Sequence, residues 1–202
     1  MAGAERVRRL AAAALLLAAG SSGAVPPPPL QIAADCERPI YASDQRVCDD
    51  ASLLALDQQV RDAWLALVAN GQAPAVSAWL EEQEAWFRRR SRCAFSERHA
   101  GCLRAAYTER AAVLEAWRLA ATAAVDAGPL RCTGAPWGTA TVRAHRQDAG
   151  LLTISDASGR LLAIAVADAA RDDWQPFLRF AADGRGYRLQ PLAGPGAVCK
   201  PA

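Results

Sequence analysis

Asp126-Ala127-Gly128-Pro129-Leu130 is the stretch whose reading decides the fold of this chain. Gly weakens a helix, and Pro removes the amide donor that a helix needs to continue. The stretch therefore ends whatever helix precedes it. The sequence differs in kind on its two sides. From Ala51 to Asp126 it is rich in Ala, Leu, Glu, Gln and Arg, all good helix formers. From Gly128 onward Gly, Pro, Thr and β-branched residues rise, with turn signals about every ten residues. The expected class is α+β: a disulfide-stapled three-helix module over residues 25–127, then a small antiparallel β module over residues 128–202.

Upstream, Asp49, Asp50 or Ser52 can cap a first helix that stops at Asn70-Gly71. Its apolar stripe is Leu53, Leu56, Val60, Trp64 and Leu67. A second helix is expected from Pro74 to Arg92, with Trp79, Gln83, Trp86, Arg90 and Cys93 on one face. A third is expected from Glu97 to Val125, with Leu103, Tyr107, Arg110, Leu114 and Trp117 aligned. Downstream, Thr139–Arg146 alternates as a strand with Ala140, Val142 and Ala144 on one face. Asp156–Gly159 and Ala182–Gly186 read as hairpin turns between Leu151–Ile154 and Leu161–Val166, and between Phe177–Phe180 and Tyr187–Leu189. A small sheet or barrel follows.

At the N-terminus Arg6, Arg8 and Arg9 precede the apolar run Leu10–Ala19 and the small residues Gly20–Ala24. That is the pattern of a secretory signal, residues 1–24, with cleavage expected after Ala24. The run is shorter than the roughly 20 residues that cross a bilayer, so no stable membrane anchor is expected and the product belongs in a periplasm or outside the cell. The full chain has 23 basic and 21 acidic residues, and removing Arg6, Arg8, Arg9 and Glu5 leaves 20 of each. So balanced a chain gives no electrostatic reason to expect nucleic acid or an anionic membrane as a partner.

Six cysteines remain, Cys36, Cys48, Cys93, Cys102, Cys132 and Cys199. In an exported chain an even number reads as three disulfides. No C-x-x-C pair is present, so neither a metal nor another cofactor is expected. Antiparallel packing of the first two helices would place Cys48 beside Cys93 and leave Cys36 for Cys102. Cys132 and Cys199 bracket the second half and would close it.

No nucleophile elbow, zinc-protease helix or phosphate loop occurs. The histidines His99 and His145 lie among charged neighbours or on a polar strand face, and Glu81, Glu82 and Glu84 fan out around a helix. A binding protein is expected rather than an enzyme.

Several spacings recur together. Val47-Cys48 precedes Leu53 and Leu56-Asp57; Gln83-x-x-Trp86-x-x-x-Arg90-x-x-Cys93 follows; Cys102-Leu103-x-x-x-Tyr107-x-x-Arg110 closes the series. In this order they resemble the N-terminal domain of the LprI family of lysozyme inhibitors, over about residues 35–117. The resemblance implies an inhibitor that binds lysozyme, a peptidoglycan-cleaving glycosidase, and blocks its cleft. The alternative is a non-catalytic adaptor of the cell envelope. The second half lies outside the resemblance.

Asp57, Gln83, Trp86, Arg90, Tyr107 and Arg110 fall on stripes expected to face the helical core. Polar groups there must be hydrogen-bonded, so the favoured reading is a buried network that fixes helix register, against a partner-facing patch. Arg88, Arg89, Arg90 and Arg92 read as a basic patch at a helix C-terminus, which suits the helix dipole. The functional alternative is docking on the paired carboxylates of a glycosidase. Trp137 and Trp174 are expected in the sheet core.

Overall fold

The computed structural model describes residues 31–72, 77–120, 128–147, 150–168 and 173–202. The expected signal segment 1–24, Pro74 and the start of the boundary at Asp126 lie outside these residues. No helix among the described residues is long and apolar enough to cross a membrane.

The chain is α+β. Among the described residues four helices, α1 (Ala42–Cys48), α2 (Ala51–Ala69), α3 (Gln83–Arg90) and α4 (His99–Ala120), precede seven strands. Helix α2 forms as its sequence predicts. Asp50 caps it by accepting from the amides of Ser52 at 3.0 Å and Leu53 at 3.3 Å. It ends at Asn70 and at Gly71, whose φ of 66° suits glycine. Helix α1 was not expected. Its buried face is Ser43, Asp44 and Val47, and two polar residues out of three leave no apolar period to read.

The second expected helix is shorter than its stripe suggested. Among its described residues only Gln83–Arg90 is α-helical, followed by a 3₁₀ turn over Ser91–Phe95. The segment before it crosses to the β half. Trp79 forms a parallel bridge with Ala163, Ser77 Oγ donates to the Leu162 carbonyl, and Trp79 meets Trp137 edge-on at 5.2 Å. Trp79 thus packs in the barrel core, although its spacing to Trp86 matched a helical face.

Two expected disulfides are corrected. The bonds are Cys36–Cys48, Cys93–Cys102 and Cys132–Cys199, not Cys48–Cys93 and Cys36–Cys102. The expectation placed Cys48 at the start of a long helix. Instead Cys48 ends α1, and the extended segment before α1 folds back on it. Cys93 sits in the 3₁₀ turn, one tight connection away from Cys102 in the first turns of α4. Both bonds therefore close short local loops, with separations of 12 and 9 residues.

The strands β1 (Pro129–Thr133), β2 (Thr141–Gln147), β3 (Leu151–Ser155), β4 (Leu161–Ala167), β5 (Leu178–Asp183), β6 (Gly186–Pro191) and β7 (Ala197–Pro201) form a barrel in sequence order, closed by β1 pairing with β7. Closure removes free edges. Cys132 stands directly opposite Cys199 across that seam, with both side chains buried among the barrel core. Gly186 of β6 allows the close approach of β7: a Cβ there would lie 1.9 Å from the Cys199 carbonyl oxygen. All pairings are antiparallel except β4–β5, which is parallel. This amends the expected antiparallel sheet. A parallel pair needs a crossover, and the connection here carries Asp173 and Trp174 across to the helices.

Strands β3 and β4 read as nearly continuous apolar runs because both of their faces are covered. Leu152, Ile154, Ala163 and Ala165 join Val142, Leu178, Phe180 and Leu189 in the barrel core. Leu151, Ile164 and Val166 belong instead to the helical core, with Trp86, Leu114, Trp117 and Trp174. Trp174 is thus buried against the helices and not in the sheet core. Burying a Leu or Ile side chain stabilises by about 1.5–3 kcal/mol, so this wall contributes to both halves at once.

Candidate functional site

The core-facing polar residues form two buried clusters. In the first, Arg90, fully buried, donates to Asp44 Oδ1 at 2.9 Å and lies 3.9 Å above the Phe87 ring. Asp44 also accepts from the Tyr41 amide at 3.2 Å. The Tyr107 hydroxyl donates to Asp57 at 2.7 Å, and Asp57 accepts from the Ala34 amide at 3.1 Å. Burial raises the Asp57 carboxyl above its ordinary value against the pull of Tyr107, Arg90 and the Ala34 amide. Burial likewise pushes the Tyr107 hydroxyl far up, so it stays a donor.

In the second cluster Arg110 donates through Nε to Gln83 at 2.9 Å and through Nη1 to the Glu81 carbonyl at 3.1 Å. Its guanidinium also lies 5.6 Å from the Trp86 ring. Burial lowers Arg110 to about 10, which leaves it charged at neutral pH. Gln83 completes its amide by donating to the Ile32 carbonyl at 3.2 Å. Asp57 and Gln83 do not meet each other. Each holds one residue of the Ile32–Ala34 segment against the helices. These residues are buried and bonded to groups on other elements, and they face no open surface.

The four arginines expected as one patch go to four surroundings. Arg88 is exposed and pairs with Glu84 one turn back. Arg89 is nearly buried, gripping Glu81 bidentately at 2.7 and 2.6 Å with its guanidinium 4.0 Å above Trp174. Arg90 is the core residue described above. Arg92 alone is exposed with no ion pair among the described residues. Consecutive helical positions are about 100° apart, so neighbouring side chains diverge.

Arg92 lines a groove of about 710 Å³ at the seam of the two halves, within the size range of binding clefts. The helical wall is Arg89, Arg92 and the Cys93–Cys102 disulfide. The far wall is Asp173, Trp174, Gln175 and Leu192. Phe95 stands on the rim with 92% of its surface exposed. Large apolar side chains that protrude singly are common; this one sits on a disulfide-pinned turn between Arg92 and Arg98. Arg98 bonds Asp173 at 3.1 Å, and Ser96 also donates to Asp173. The Ser96 and Arg98 bonds hold the Asp173 carboxyl below its ordinary value, so it serves as a latch between the halves and holds no proton to donate at neutral pH. Sequence reasoning reached Arg92 but missed Phe95, Arg98 and Asp173, because a single exposed aromatic leaves no periodic signal.

Ser43 Oγ lies 3.2 Å from His99 Nε2, the separation of a nucleophile and its base. Ser43 is fully buried and its hydroxyl donates to the Ser91 carbonyl at 3.0 Å. Burial, with Arg46 and Arg90 nearby, lowers His99. The pair ties α1 to α4 and presents no nucleophile to a substrate. No group of three or more His, Cys, Asp or Glu with metal-site geometry occurs among the described residues. In comparisons with known proteins the chain matches no family model, no curated protein and no solved structure.

Proposed function

We propose that this chain is an exported inhibitor, periplasmic or secreted, that binds a lysozyme-type glycosidase and blocks its cleft with the Arg92–Arg98 turn. The observation that carries this reading is Phe95, almost wholly exposed beside Arg92, which makes no ion pair among the described residues, on a turn pinned by a disulfide. Glycosidases of this type hold two carboxylates in a cleft open to a polymer. An arginine can pair with such carboxylates bidentately, and a rigid aromatic beside it supplies apolar anchor area with little ordering cost. The spacings shared with the LprI family support the same direction. Asp57, Gln83, Arg90, Tyr107 and Arg110 of those spacings are buried, which favours the exposed turn as the recognising surface.

The test is cell-wall lysis by lysozyme, titrated with the oxidised chain lacking residues 1–24. Lysis should fall near a one-to-one ratio. Phe95→Ala and Arg92→Glu should each raise the half-inhibitory concentration at least about tenfold, the cost of losing one well-buried anchor. A folded protein that leaves every lysozyme class untouched would overturn the reading and bring forward the envelope adaptor, whose partner would then be another protein.

A further inference from the structure

The balanced total charge conceals a separation. Residues 25–127 carry 11 basic and 14 acidic groups, whereas residues 128–202 carry nine basic and six acidic. The barrel register arranges much of that excess in one line. Arg131 of β1 stands directly opposite Lys200 of β7. Arg143 of β2 is opposite Pro129, hence diagonal to Arg131. Arg188 of β6 is opposite Val198, hence diagonal to Lys200. Arg179 of β5 is opposite Gln190, hence diagonal to Arg188.

Direct and diagonal neighbours on one sheet face lie within about 5–8 Å, so five cationic side chains form a continuous stripe on the outside of the barrel. Arg131, Arg143, Arg188 and Lys200 are exposed, with their strand neighbours Leu130, Val142, Leu189 and Cys199 turned inward. Arg179 pairs with Asp168 at 3.3 Å and Arg188 with Asp183 at 3.6 Å. Arg131, Arg143 and Lys200 make no ion pair among the described residues. Like charges directly opposed across a ladder are destabilising. Lysines are often placed on sheet edges to block strand addition, but that explanation fails here because β1 and β7 are paired on both sides.

We propose that this face docks the protein on an anionic phospholipid membrane surface. Charge complementarity selects an anionic partner. The stripe lies on the convex outside of a closed barrel and has no aromatic side chain in it, so it lacks the groove and stacking platforms that track a nucleic acid strand. A planar array of lipid phosphates needs neither. The contact is peripheral and electrostatic, each basic residue near such a surface adding a modest attraction that salt screens.

Co-sedimentation with phosphatidylcholine vesicles, with and without phosphatidylglycerol, tests this on the chain lacking residues 1–24. The protein should partition to the anionic vesicles, ignore the neutral ones and dissociate as salt is raised. Arg131→Gln combined with Lys200→Gln should weaken partitioning by roughly thirtyfold, while Arg61→Gln on α2 should leave it unchanged. Arg131→Glu serves as a fold control, since it replaces a repulsion with an attraction and should raise the melting temperature while reducing vesicle binding. Absence of binding to anionic vesicles, equal binding to neutral ones, binding indifferent to the double substitution, or capture of soluble polyphosphate without vesicles would each overturn the proposal.

Discussion

The two halves of this protein hold their interiors together by different means. The helical interior contains Asp44, Asp57, Gln83, Arg90, Glu109 and Arg110, all buried. The barrel wall contributes Thr153 as its one buried polar side chain among the described residues; its interior is otherwise apolar, with the Cys132–Cys199 bond set inside. Helices slide and rotate past one another at small cost, so specific polar pairs can fix their register. Strands have their register set by backbone ladders and a period of two, and a barrel needs only apolar filling and closure. The comparison teaches that a buried charged residue in the helical half marks architecture, so recognition is to be sought on the turn and the barrel face that the architecture presents.

The largest effect should come from separating a buried charge from its partner. Asp44→Leu leaves Arg90 charged and unpaired, and should cost about 3–5 kcal/mol in urea unfolding. Adding Arg90→Met should recover most of it, because an apolar pair can replace a buried ion pair. A double variant as unstable as the single one would break the view that pairing is what matters there.

Disulfide removal sharpens the comparison next. Cys132 and Cys199 are 67 residues apart, against 9 for Cys93 and Cys102. Chain entropy then assigns roughly 4 kcal/mol to the barrel bond and roughly 3 to the helical one. Replacing each pair with alanines and comparing urea midpoints checks that order. A larger loss at Cys93–Cys102 would mean that the turn bearing Phe95 depends on its staple beyond chain entropy.

The smallest effects are in pH. The Asp173 carboxyl is lowered in the fold, so its stabilising contribution is present above the ordinary carboxylate value and is lost as pH falls through the folded one. The seam should loosen below about pH 4, visible as a change in Trp174 fluorescence that Asp173→Asn abolishes. Asp57 is raised and has the opposite sign. Its contribution is full at low pH and is lost as pH rises through its folded value, and Asp57→Asn should flatten that limb of the stability profile.

Much of this fold was legible in the sequence. The Asp50 cap, the Asn70-Gly71 stop and both hairpin turns rest on local backbone chemistry, which sequence expresses directly. Helix α1 did not show, because Ser43 and Asp44 are buried through partners distant in sequence. Trp79 misled for the converse reason, keeping helical spacing to Trp86 while its own segment crosses to β4. The basic run Arg88–Arg92 looked like one patch in the linear chain, and helical geometry sent its members in different directions. The cationic stripe was equally invisible, since Arg131 and Lys200 become neighbours only when the barrel closes.

The proposed division of labour gives the polar motif residues the fold and the Phe95 turn the partner. The most direct test measures melting temperature and lysozyme inhibition together for Gln83→Leu and for Phe95→Ala with Arg92→Glu. The account predicts that Gln83→Leu lowers stability by about 1–3 kcal/mol, as expected when Arg110 loses a buried acceptor, and inhibits normally while folded. It predicts that the turn variant melts like the parent and no longer inhibits. A stable Gln83→Leu protein that fails to inhibit, beside a turn variant that still does, would contradict it.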